Sequence, residues 1–530
     1  MNQILVNSTI LAFYFAVLLA IGWACRKKAA DVNGFVLGGR TVGPWLTAFA
    51  YGTSYFSAVV FVGYAGQFGW RYGISATWAG IGNALIGSLL AWAVLGRRTR
   101  IMTQHLESAT MPDFFAKRFG SPALKLMAAA IIFVFLIPYT ASLYNGLSRL
   151  FGMAFSIDYA WCIVLMSVLT AIYVIAGGYM ATAINDFIQG LVMLVGIAAV
   201  IWAILASKGG LIAALDGLAR VPGPAIIPGG EPTPGIFTSF LGPDPLNLLF
   251  VVILTSLGTW GLPQMVQKFY AIKDEGSIKK GTVISTLFAF VVAGGCYFLG
   301  GFGRLFSDVL NVGDKGMPAG GFDAIIPKML EGLSPMLIAL VVVLVLSASM
   351  STLSSLVITS SSTLTIDFIR GTVVKKMSDK SQVLCMRVLI VVFIAISAIL
   401  ALVQYKSTSP IAFIAQMMGV SWGAMAGAFL APFLYALYSK KVTSVSCWAC
   451  FILAPAFTLV GVFCRDAMPG VLKSPIATGA LAMLGGLVVV PVVSVFTRKP
   501  PRELVDGSFK CYEKTTVVQQ ATALGAETVK

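Results

Sequence analysis

An all-α, polytopic membrane protein with about thirteen transmembrane helices is what this sequence predicts, and three observations predict it. The 530-residue chain is 58% hydrophobic and only 11% charged, more apolar surface than a compact soluble domain can hide. Its apolar residues fall in runs of roughly twenty or more, the length a helix needs to cross a bilayer. Its cations gather in short loops between alternate runs, the pattern that sets membrane orientation.

Taken in order, the runs lie near 5–25, 43–70, 74–96, 123–150, 157–177, 180–205, 246–271, 279–303, 336–366, 383–405, 410–438, 442–464 and 474–497. The first has no basic region before it and no small-residue cleavage pattern after it, so it is expected to be retained as a span. Arg26, Lys27, Lys28 and Arg40 follow the first span, and Arg97, Arg98, Arg100, Lys117 and Arg118 the third. Lys273, Lys279 and Lys280 follow the seventh, Arg370, Lys375, Lys376 and Lys380 the ninth, Lys440 and Lys441 the eleventh, and Arg498, Lys499 and Arg502 the last. An outside N-terminus, a cytoplasmic C-terminus and residence in the plasma membrane follow. The net charge of +16 therefore reports topology, and no nucleic-acid partner is expected.

Residues 1–500 read as one transmembrane domain and 501–530 as a polar, mobile cytoplasmic tail. The Gly- and Pro-rich connections near 206–245 and 304–335 should carry short surface helices. Met111–Arg118, with Phe114 and Phe115 beside Lys117 and Arg118, should lie as a helix in the membrane interface.

Two spans read as interrupted helices, through Gly52-Thr-Ser-Tyr-Phe-Ser57 and Gly258-Thr-Trp-Gly-Leu-Pro263. Gly weakens a helix and Pro deletes one of its bonds, and irregular backbone at membrane depth is tolerated only where protein or a cavity supplies partners. Corresponding breaks five spans apart point to an inverted repeat, here about 43–205 and 246–438, with a binding site at its interface.

In the ninth span the hydroxyls of Ser351, Thr352, Ser354 and Ser355 recur three and four residues apart, so they share one helix face. Hydroxyls on membrane helices often bond the preceding turn or a neighbouring helix. Of the 21 acidic residues, however, Asp186 is the one that falls well inside an expected span, and an ionisable group there marks an ion or substrate path. One carboxylate with several hydroxyls suits a small alkali cation, not a transition metal.

The only histidine, His105, lies in a loop, which removes histidine proton relays. The eight cysteines are scattered, and Cys447-x-x-Cys450 lacks a second pair to complete a metal site, so buried free thiols are expected. Nothing here assembles an enzyme's nucleophile and base, and no organic cofactor is expected.

Gly177-Gly-Tyr-Met-Ala-Thr-Ala-Ile-Asn-Asp-Phe-Ile-Gln189 resembles the signature of the sodium/solute symporter family. Gly38-Gly-Arg40, Gly261-Leu-Pro-Gln264 and Ala348-Ser-Met-Ser-Thr-Leu-Ser-Ser355 follow the family's order and spacing over nearly the whole chain. The resemblance implies the leucine-transporter-type fold of five plus five helices, with one extra helix before this core and two after it. It implies a first sodium site from the carbonyls of Thr53, Phe56 and Ala348 and the hydroxyls of Ser351 and Thr352. It implies a second from Asp186, Ser351, Ser354 and Ser355, and hence two sodium ions per cycle. Alternatively Asp186 holds one proton or steers the ion inward, and proton coupling is the rival mechanism. Two ions would sustain roughly a 10⁵-fold gradient of a neutral solute at about 100 mV and a tenfold sodium gradient.

Candidate lining residues between the broken spans are Tyr55, Ser57, Phe61, Tyr139, Thr255, Thr259, Trp260 and Gln416, with no Arg or Lys among them. Tyr139 matches a tyrosine of the family's proline carriers, whereas Thr255 and Thr259 stand where those carriers tend to have aromatics. Ile184–Gly196 and the Gly-Leu-Pro of the seventh span look closer to pantothenate carriers. The expected solute is a small carboxylate or pantothenate-like molecule, then proline or a similar amino acid, then a sugar, carried by a monomer.

Overall fold

The structure, a computed structural model, describes residues 3–155, 158–224, 232–312, 316–374, 376–405 and 414–513. The helices are α1 (Gln3–Cys25), α2 (Val32–Leu37), α3 (Pro44–Tyr55), α4 (Ala65–Tyr72), α5 (Thr77–Gly82), α6 (Arg97–His105), α7 (Met111–Phe119), α8 (Pro122–Phe155), α9 (Tyr159–Ser207) and α10 (Leu211–Ala219). They continue as α11 (Pro245–Leu257), α12 (Pro263–Ala271), α13 (Glu275–Gly300), α14 (Ser307–Leu310), α15 (Ile325–Leu330), α16 (Pro335–Thr363), α17 (Asp379–Tyr405), α18 (Ile414–Tyr438), α19 (Ser444–Phe463), α20 (Pro475–Phe496) and α21 (Arg502–Phe509). Proline opens α3, α11, α12, α16 and α20, where a missing N–H costs no helix bond. Asp31, Thr110, Asp244, Asp274 and Thr443 cap α2, α7, α11, α13 and α19 by accepting a backbone N–H.

Among the described residues, 11 continuous helical segments are long and apolar enough to cross a membrane, against the thirteen expected. The difference lies in Val59–His105 and Tyr159–Ser207, of 47 and 49 residues. A straight helix of either length would run about 70 Å, more than twice the hydrocarbon thickness. Both fold back instead. In α9, Thr170 and Tyr173 reach Met350, while Gln189 reaches Ser347 through the Tyr14 hydroxyl. Thr170 and Gln189 would be about 28 Å apart on a straight rod, so the reversal falls between them, at Gly178 with φ +55°. Gly73, at φ +63°, does the same in the earlier stretch: Gly69 lies against Gly300 and Gly80 against Gly294, less than two turns apart on α13.

Two packed groups result. One joins α3–α6 to α11, α12 and α13, and the other joins α8, α9, α16 and α17; between them α3 meets both α9 and α16, and α13 meets α9. Helix α18 packs with α8, α19 and α20. Among the described residues the long connections carry the short α10, α14 and α15 and three 3-10 turns; α15 is not a surface helix as expected, because Ile325, Ile326, Met329 and Leu330 are buried. The interfacial placement of α7 does not hold: Phe114 and Phe115 are fully buried and pack on Phe429, Phe433 and Phe451. An amphipathic helix needs an apolar partner, and here protein supplies it in place of lipid. The tail is not mobile throughout, because α21 docks. Asp506 pairs with Lys440 at 2.8 Å, the Gly507 carbonyl meets His105, and Phe509 lies under the Arg118 guanidinium. Residues 514–530 of the tail, and 410–413 at the expected start of the eleventh span, lie outside the described residues. Cys447 and Cys450 are buried and unpaired, as expected.

Candidate functional site

Both helix breaks are present. Helix α3 ends at Tyr55, Phe56 is extended (φ −89°, ψ 114°), and helical backbone resumes at Ala58. Helix α11 ends at Leu257, a single turn spans Gly258–Trp260, and the extended Leu262 (φ −82°, ψ 121°) precedes α12. Each break strips carbonyls of their helical donors.

The oxygens freed at the first break face α16. The Thr352 hydroxyl lies 3.0 Å from the Thr53 carbonyl, 3.3 Å from that of Phe56 and 3.1 Å from that of Ala348. The Ser351 hydroxyl lies 3.2 Å from Thr53 O and 3.0 Å from Ala348 O. All five residues of the first expected cation site therefore meet. Two hydroxyls supply two protons for these five approaches, so the cage holds more acceptor capacity than donors, as a hard cation requires.

The second expected cluster is arranged differently. Ser354 donates to Ser351 O at 2.8 Å, within its own helix. Ser355 lies 2.9 Å from the Ser54 hydroxyl and 3.0 Å from the ammonium of Lys268. Asp186 is 0% exposed, and neither of its oxygens has a hydrogen-bond partner among the described residues. Lys268, 1% exposed on α12, is the charge acting on it, outside ion-pair distance. Lys268 is thus a buried cation beside the second cluster, where the sequence reading expected only a carboxylate and hydroxyls. Lys268 sits three residues before the end of an expected span, where a lysine ordinarily snorkels to the interface; α12 instead directs it inward.

Of the candidate lining residues, Tyr55 and Tyr139 are buried, and among the described residues their hydroxyls have no partner; the same holds for Tyr64 and Tyr297, which the sequence reading missed and which both lie against Phe68. The Tyr297 hydroxyl faces Asn83 and Thr255 without closing to hydrogen-bond geometry. Thr259 and Trp260 turn away, bonding the Gly87 and Ile86 carbonyls. Ser57 caps Val59, and Phe61 is fully buried. Gln416 lines a separate cavity of about 690 Å³ with Arg71, Asp244, Asn247, Arg465 and Lys473.

The opposite end of these helices is sealed. The space beside Thr110, Gln267, Tyr270, Thr359 and Ser362 shrinks to about 10 Å³. Arg40 ties the lining residue Tyr270 to the Thr103–Ser108 turn, donating to Ser108 O at 2.7 Å, Tyr270 O at 3.2 Å and Thr103 O at 3.4 Å. Burial and neighbouring Arg100 pull its guanidinium down to about 10, still charged at neutral pH. Arg40→Gln should lose roughly tenfold in the preference for the sealed state, since charge-assisted hydrogen bonds are each worth about 1.5–3 kcal/mol. A cysteine reporter at Ser362 would then be alkylated several-fold faster from this face; an unchanged rate removes Arg40 as the latch.

A membrane chain whose helices break at two buried points, with an oxygen cage at one of them, a large cavity at one end and a seal at the other, is an ion-coupled secondary transporter. The chain belongs to the sodium:solute symporter family, whose model matches residues 35–453, and it is a sodium-coupled solute symporter. It is 28% identical to the osmoregulated proline transporter OpuE of Bacillus subtilis, over 93% of this chain and 95% of that one. It is likewise 28% identical to a sodium/proline symporter of Staphylococcus aureus, over 92% of each. In fold it is similar to a solved Na⁺-coupled sialic acid symporter in a substrate-bound outward-open state, with a TM-score of 0.68, 16% identity, and coverage of 94% of this chain and 99% of that one. MhsT in complex with L-phenylalanine is more distant, with a TM-score of 0.50, 15% identity, and coverage of 83% and 98%.

Proposed function

We propose that the cage of Thr53, Phe56, Ala348, Ser351 and Thr352 is the sodium site, and that sodium bound there drives uptake of a small zwitterionic amino acid, with L-proline the first candidate. The observation that carries the cage is its excess of acceptors over protons. It joins α3 of one packed group to α16 of the other, so an ion there favours the arrangement in which the two meet. Coupling needs no more than that differential affinity.

For the solute, the buried unpartnered groups of Tyr55, Tyr64, Tyr139 and Tyr297 are neutral hydroxyls on aromatic rings. Burying an isolated anion among them is costly, whereas a zwitterion brings its own counter-charge. The 28%-identical proline transporters favour the same choice. A monocarboxylate of pantothenate type is the second reading, favoured by Arg71, Arg465 and Lys473 facing a single Asp244 in the 690 Å³ cavity.

Thirteen crossings follow when the two folded-back stretches are each counted as a pair, with repeats of about 43–205 and 246–438. The matching extended residues, Phe56 and Leu262, support the repeat. The latch end, rich in Lys and Arg, is cytoplasmic, and the 690 Å³ cavity opens outside.

Uptake into proteoliposomes under an imposed sodium gradient tests the proposal with a panel of L-proline, pantothenate and short monocarboxylates. Sodium-dependent, saturable proline uptake is expected. Uptake that tracks a pH gradient and ignores sodium ends the reading.

A further inference from the structure

We propose that the Lys268 ammonium takes the place of a second cation, so that the symporter carries one sodium ion per cycle. The inference rests on the reading of the five-oxygen cage as the sodium site, and it departs from the two-ion expectation.

Asp186 and Lys268 lie on different helices, α9 and α12, and both are buried. Alone, a carboxylate without a hydrogen-bond partner at this depth is costly, and so is an ammonium; together their charges cancel. The ammonium is held in place. It donates to Ser355 at 3.0 Å and lies 5.0 Å from the centre of the Tyr179 ring, whose face attracts cations. Its helix is anchored one residue earlier, where Gln267 donates to Val36 O at 2.9 Å and accepts from Thr359 at 2.8 Å.

Two of the three hydroxyl oxygens a second sodium would use, those of Ser355 and Ser351, are engaged elsewhere. The single proton of Ser54 points to Ala50 O, so Ser355 is the donor in the Ser54–Ser355 bond and offers its lone pair to Lys268. Ser351 belongs to the first cage, while Ser354, whose proton goes to the Ser351 carbonyl, keeps its lone pairs but has lost its neighbouring hydroxyls as co-ligands. A sodium ion drawn to Asp186 and Ser355 would meet an immobile positive charge on the same hydroxyl. The ammonium thus supplies, from the chain itself, the charge that an ion would otherwise supply from solution. Lys268 acts here as a positioning residue, setting ion number without touching the solute.

The consequence is a lower ceiling on accumulation. One ion sustains roughly a 500-fold gradient of a net-neutral solute at about 100 mV and a tenfold sodium gradient, in place of roughly 10⁵-fold for two.

Equilibrium binding of radioactive sodium to the purified full-length protein, without solute, tests the proposal. The wild type should saturate at one ion per chain with a Hill coefficient of one. Two ions per chain overturn the inference and leave the cage intact, whereas no saturable binding overturns the cage itself. Lys268→Arg keeps the cation and should keep the count at one. Lys268→Gln frees the position and should raise the count to two, and a folded glutamine variant that still binds one ion also overturns the inference. Should Lys268→Gln fail to fold, the wild-type count decides alone.

Discussion

Thr352→Ala should raise the sodium concentration for half-maximal uptake by about 10- to 150-fold, because the hydroxyl it removes touches all three carbonyls of the cage. Each interaction with a charged partner is worth about 1.5–3 kcal/mol, and every 1.4 kcal/mol is tenfold in affinity. Ser351→Ala, losing two contacts, should act in the same direction. The solute KM measured at saturating sodium should move far less, since neither hydroxyl belongs to the tyrosine cluster. Sodium titrations of uptake at fixed solute supply the check. An equal rise in both constants would place Thr352 in the solute site and empty the cage of its role.

Gly69→Ala should cost about 3 kcal/mol or more of stability and cut the folded yield in membranes several-fold. A Cβ on Gly69 would overlap the carbonyl of Gly300, and one on Gly300 would overlap the carbonyl of Ala65. Backbone meets backbone there, so no side chain can swing aside. Gly485→Ala, on an open face of α20 with nothing within 4 Å of the new methyl, should change stability by no more than about 1 kcal/mol. Thermal unfolding in detergent separates the two; equal midpoints would mean that α4 and α13 can move apart without penalty.

What could be read from the sequence was what local chemistry marks. Gly and Pro betray both helix breaks, and the three- and four-residue spacing of Ser351, Thr352, Ser354 and Ser355 betrays a shared face. The five cage residues meet as the family resemblance implied. What escaped depends on which way a segment faces. The aromatic face of α7 has one pattern whether lipid or protein covers it, and Arg40 reads as one more loop cation until its three carbonyl partners are in view. Lys268 looks like an interfacial lysine, because span hydropathy is blind to the direction of a single side chain. Tyr64 and Tyr297 carry no local mark at all, and only packing against Phe68 brings them together.

The elbow at Gly178 has a mechanical consequence. A connection one residue long leaves no slack, so the two limbs of α9 behave as a bell-crank. When the limb carrying Asp186 tilts, the limb carrying Tyr173, moored to Met350 O at 2.9 Å, must pivot with it or release its hold. A longer linker at that corner would let the limbs slip past each other and uncouple what happens on either side of α16.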